Sequence, residues 1–176
     1  MEKLFRSTKA ALVMMGVLLF GAGCNGEGKE MEIPRLTEIR KLPVGLRVSH
    51  SPNPVKATKA GRSGREFTWK YQTSLEAMAQ ELTIVEFGSF FEQGSNWRFA
   101  NFTGKPFSRM DFAEWYSCPG AILVPGTAAN DPENWGGGQQ LRACRCVWYY
   151  IAVDDSGKRF YGESTVEQLG EIVERN

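Results

Sequence analysis

Three cysteines in the second half of the chain, Cys118, Cys144 and Cys146, and the single histidine, His50, have the widest chemical reach. Cys144 and Cys146 stand two apart, so on a strand their side chains share a face. Either one pairing with Cys118 in an oxidising compartment leaves one thiol over. The alternative is a soft-metal or thiol-redox site built from Cys118, Cys144 and Cys146 with His50 as a further ligand, because thiolates suit Cu(I) and Zn. The CxC spacing lacks the CxxC pair or adjacent histidine of the stronger metal signatures. The first expectation is therefore a disulfide, with no metal and no cofactor.

Nucleophilic hydrolysis of the Ser-His-Asp or Cys-His type has only His50 as its base, and His50 lies in a Ser/Pro/Asn-rich stretch far from any recognisable nucleophile. Carboxylates occur in pairs: Asp111 with Glu114, Asp131 with Glu133, and Asp154 with Asp155. Such pairs serve glycoside cleavage or Ca²⁺ when correctly spaced. Helix capping and turn formation explain the same residues more economically. The run NWGGGQQ (134–140) has neither the GK[ST] ending of a P-loop nor a strand-GxGxxG-helix setting. Within it Trp135 and Asn134 are candidate ligand contacts, since a flat ring beside an amide suits a partner surface or a saccharide. No catalytic residue is assigned.

The elements that must position these groups are legible from Glu66 onward. In EFTWKYQT the aromatic residues Phe67, Trp69 and Tyr71 alternate with polar ones, the period of a half-buried strand. SLEAMAQ (74–80) reads as a turn of helix or a loop. LTIVEFGSFF (82–91) and WRFANF (97–102) make a hairpin about QGSN. Ser108 and Asp111 are spaced as a capping box ahead of Phe112, Trp115 and Tyr116, which predicts a short helix near 108–117. AILVPG is a short strand, 127–140 a long loop, and LRACRCVWYYIAV (141–153) the central strand. DDSG turns into KRFYGE, and Ser164 with Glu167 introduces an apolar stripe, Val166, Leu169, Ile172 and Val173, that predicts a C-terminal helix near 165–175. The expected class is α+β, an antiparallel sheet with helices packed on it, with a β-sandwich carrying peripheral helices as the alternative.

The N-terminus has a different composition. Lys3, Arg6 and Lys9 precede an eleven-residue apolar run from Ala10 to Phe20, then Gly21, Ala22, Gly23 and Cys24. This is the order of a secretory signal, and the run is too short for the roughly 20 residues of a spanning helix. With Cys24 after small residues, it resembles a bacterial lipoprotein signal, Gly21 standing where that pattern has Leu. The resemblance implies diacylglyceryl transfer to Cys24, cleavage after Gly23 and acylation by palmitate-like chains. It also implies retention in the cell envelope, with Asn25 favouring the outer membrane over the inner. An ordinary signal-peptidase site, small residues at Gly21 and Gly23, cuts at the same place without lipid.

Residues 1–23 carry Lys3, Arg6, Lys9 and Glu2, so the chain beyond them has 18 basic and 19 acidic residues, which argues against a nucleic-acid partner. Residues 1–23 are thus read as signal, 24–65 as a lipid-anchored tether with an irregular edge segment, and 66–176 as one globular domain. The expected function is a non-enzymatic binding or envelope-structural lipoprotein. Its partners would be the lipid bilayer through Cys24 and an envelope protein or saccharide.

Overall fold

The computed structural model describes residues 34–62, 65–94, 96–100 and 104–173. Cys24 and residues 1–23, read above as a signal, lie outside them. Among the described residues the order is α1 (Pro34–Ile39), β1 (Leu46–Ser51), β2 (Val55–Arg62), β3 (Arg65–Ala77), β4 (Leu82–Gln93), β5 (Asn96–Phe99), β6 (Phe107–Ser108), α2 (Arg109–Trp115), β7 (Ile122–Leu123), β8 (Ala129–Gly138), β9 (Cys144–Val153) and β10 (Arg159–Ile172). Strand makes up 61% and helix 11%, so the α+β expectation is wrong. One curled, mixed sheet forms a half-barrel instead, and among the described residues there is no C-terminal helix. A pair of stacked sheets is not formed either.

The sheet runs β3, β2, β10, β9, β4, β5, with β8 on the free edge of β3 and β1 sharing the other edge of β3 with β2. Most pairs are antiparallel, and β2 with β10 is parallel. The curl is visible in one hydrogen bond: Trp148 Nε1 on β9 donates to the Tyr71 hydroxyl on β3 at 2.9 Å, across the strands that separate them.

β9 is central, as its double-sided apolar sequence predicts. Cys146, Trp148, Tyr150 and Ala152 face the concave core, while Val147, Tyr149 and Ile151 face a second cluster on the convex side. α1 covers that second side with Leu36 and Ile39, joined by Phe90, Trp97 and Phe99. α2 fills the concave side. Ser108 caps it by accepting from the Asp111 amide, and Asp111 returns a 2.7 Å bond to the Ser108 amide. Phe112 and Tyr116 of this segment then pack around Phe87 with Trp148 and Tyr150.

Within the segment read as tether and irregular edge, Leu36, Leu46, Val55 and Ala57 are core residues, and β2 is a sheet strand whose Lys56 pairs with Glu171. Two further expectations are corrected. β3 continues through SLEA to Ala77 because β1 and β8 pair with it there. Residues 129–138, read as loop, are the edge strand β8, whose Pro132 sits at a register shift where no ladder donor is needed.

The C-terminal helix fails for a related reason. Arg159–Gln168 pair with β9 residue by residue, and Val166 and Gln168 point into the core with exposed Glu167 between them. The ladder pairs the backbone groups on one edge of β10 with a buried neighbour over ten residues, which outweighs a helical stripe that contains Gly170. A Cβ on Gly170 would also come within 3.1 Å of the Ala143 backbone nitrogen.

Candidate functional site

Two places gather polar chemistry. The first is inside the half-barrel. On β1 and β3, facing residues His50 and Thr73 are register partners, and His50 Nδ1 lies 3.0 Å from Thr73 Oγ1. The other ring nitrogen, Nε2, is 3.4 Å from the Ser164 carbonyl of β10. A carbonyl only accepts, which puts the proton on Nε2 and leaves Nδ1 to accept from the Thr73 hydroxyl. Thr73 Oγ1 in turn accepts from Asn134 Nδ2 of β8 at 2.8 Å. Beside this chain the Tyr116 and Tyr150 hydroxyls share a 2.6 Å bond, and the His50 ring meets Tyr71 edge-on.

Burial keeps the His50 ring and the tyrosine hydroxyls of this interior uncharged. Burial drops His50 to about 4, opposed by its bond to the Ser164 carbonyl. Burial likewise holds Tyr71, Tyr116 and Tyr150 far above the ordinary tyrosine value, and the buried carboxyl of Asp131 adds to the effect on all three. A base at neutral pH needs a free lone pair facing a reactant. The His50 lone pair faces Thr73, so the cluster works as a set of mutual donors and acceptors that fixes β1, β3, β8 and β10 against each other.

The second place is an open groove of about 250 Å³ at the start of β9, lined among others by Glu92, Cys144, Arg145, Glu167 and Gln168. Arg145 bonds Glu92 at 3.2 Å and lies over the Trp97 ring. Cys144 is half-buried there, and burial pushes its thiol up despite the Glu92 backbone bond and the charge of Arg142. Cys146 lies deeper, pushed up to about 12 by burial first and then by Cys144.

The expected cysteine partnership does not form. Cys118, Cys144 and Cys146 are free thiols, and none is at disulfide distance from another. Register explains why. Cys118 Sγ donates to the Ile122 carbonyl, and Ile122 pairs with Thr83, which pairs with Val153. Cys146 is seven residues back along β9, roughly 20 Å at about 3.3 Å per residue. Cys118 and the CxC pair therefore occupy opposite ends of the sheet. His50 is engaged in the interior, and among the described residues no three His, Cys, Asp or Glu side chains gather to hold a metal ion.

The remaining sequence candidates separate too. Asn134 is buried on Thr73, while Trp135 sits on the other side of β8 under the Arg65 guanidinium, 4.1 Å from its ring centroid. The glycines that follow are not a phosphate cradle. A Cβ on Gly136 would lie 2.2 Å from Gln168 Nε2, and one on Gly137 2.6 Å from Arg65 Cδ, so both leave room for side chains that cross the strand. Asp111 caps α2, and Asp154 closes the β9–β10 turn through Ser156 and Lys158. Tyr71, Thr73, Tyr116 and Tyr150 were not singled out by the sequence. The strand period turned Tyr71 and Thr73 to one face and the helical spacing placed Tyr116 on the apolar face of α2, but neither marked them as a polar cluster.

Among the described residues no helix is long and apolar enough to cross a membrane. No protein-family profile and no curated protein matches the chain. Among solved structures, a Bordetella pertussis protein assigned as ApaA aligns with TM-score 0.46 and 12% identity over 72% of this chain and 96% of its own. Structural-genomics target SoR45 aligns with TM-score 0.46 and 12% identity over 77% of this chain and 95% of its own.

Proposed function

We propose that the protein is an exported bacterial lipoprotein, held to an envelope membrane by acyl chains on Cys24, whose β-domain has a non-enzymatic binding or structural role. The observation that carries this is the sequence from Lys3 to Cys24: charged start, eleven apolar residues, three small residues and a cysteine. One acyl chain binds a bilayer only marginally, and the two or more of a lipoprotein anchor it stably. Support for a non-enzymatic role comes from the interior, where the one histidine of the chain has both ring nitrogens engaged and the tyrosine hydroxyls face each other or other core groups.

Metabolic labelling with palmitate in a bacterial host tests the anchor. The wild-type chain is expected to take up label and fractionate with membranes, and Cys24→Ser to lose both. An unlabelled wild-type chain in the soluble fraction overturns the reading.

A further inference from the structure

We infer that the rim formed by β4, β7 and the start of α2 is the face that rests on the bilayer holding Cys24. The inference rests on the lipoprotein reading above and adds the orientation of the domain. Its first support is the point at which the chain enters the fold. Arg35, at the start of α1, ion-pairs with Glu86, and Glu86 is the register partner of Ser108, the cap of α2. Ten residues separate Cys24 from Arg35. The eleven steps between them span at most about 40 Å fully extended. The described chain therefore enters the fold at this rim, which makes it the part of the domain nearest Cys24 along the chain.

The second support is what the rim exposes. Along it, Ile122 pairs with Thr83, and Ile122 and Val124 point away from the core while Leu123 between them is buried. Val85 is exposed next to Glu86. On α2, immediately after the cap, Met110 is 80% exposed, the most exposed of the large hydrophobic side chains among the described residues. Arg109 accompanies them, its guanidinium fixed by a 2.9 Å bond from Nε to the Gly120 carbonyl beside Ile122. Apolar side chains around an arginine match the boundary between acyl chains and phosphate headgroups, where the apolar tips leave water and the cation meets phosphate. Four apolar residues around the entry point of a lipid tether thus make a membrane-resting surface.

Oxidation of Met110 reads this directly. The lipidated protein, reconstituted in phosphatidylethanolamine/phosphatidylglycerol vesicles, is treated with dilute peroxide beside the Cys24→Ser chain mixed with the same vesicles. Peptide mass then gives the Met110 sulfoxide rate. The expected result is at least fivefold slower oxidation of Met110 in the vesicle-bound lipidated protein. Equal rates, with the lipid mass present and the protein co-floating with vesicles, overturn the orientation and leave the anchor standing. A native chain with no lipid mass overturns both.

Discussion

His50 illustrates how burial decides what a residue can do. Its ring is held neutral by desolvation, with a folded value near 4 against about 6.5 when exposed. Between those values the unfolded chain binds a proton that the folded chain refuses. The stabilisation from a neutral His50 is therefore complete above about pH 6.5 and is lost as the pH falls toward 4, on the order of 3 kcal/mol in all. Because the chain has one histidine, its ring proton resonances report the event without assignment ambiguity. They are expected to stay unshifted down to about pH 5 in the folded protein, and a midpoint near 6.5 would show an accessible ring. The neutrality was not legible in the sequence, where His50 stands among Ser, Pro and Asn and reads as loop. Its burial comes from Thr73, Ser164 and Tyr71, 21 or more positions away in the chain.

At the scale of elements, the sequence was most informative where a pattern and its surroundings agreed. The period-two aromatics of β3, the hairpin of β4 and β5, the capping box of α2 and the double-sided apolar run of β9 all appear as the residues suggest. It misled at β8 and β10, where tertiary pairing overrides local preference. The glycines and Pro132 of β8 look like turn residues, yet the glycines admit Gln168 and Arg65 and the proline sits on an edge. In β10 the spacing of Val166, Leu169 and Ile172 imitates a helix, while Gly162 and Gly170 mark places where a neighbouring chain comes too close for a side chain. A Cβ on Gly162 would lie 2.6 Å from both Cβ and the carbonyl oxygen of Leu46. Gly162→Ala is therefore expected to force β1 and β10 apart and to cost about 1–3 kcal/mol in urea unfolding. A neutral or stabilising effect, the usual result of Gly→Ala in a compatible site, would contradict this packing.

For the molecule as a whole, a single curled sheet is sealed on its concave side by α2 and on its convex side by α1, and the polar groups around His50 are matched to one another. That matching holds β1, β3, β8 and β10 against one another as one body. The three cysteines follow the same logic: Cys118 at one end of the sheet and Cys144 and Cys146 at the other are kept apart by the length of β9. The most direct measurement is the intact mass of the native protein taken from the membrane fraction of its host, alkylated in denaturant without reduction. A chain that begins at Cys24, carries diacylglyceryl mass there and takes up three alkyl groups is the predicted result. A lipid-free chain, or one whose other cysteines resist alkylation because they are paired, would contradict it.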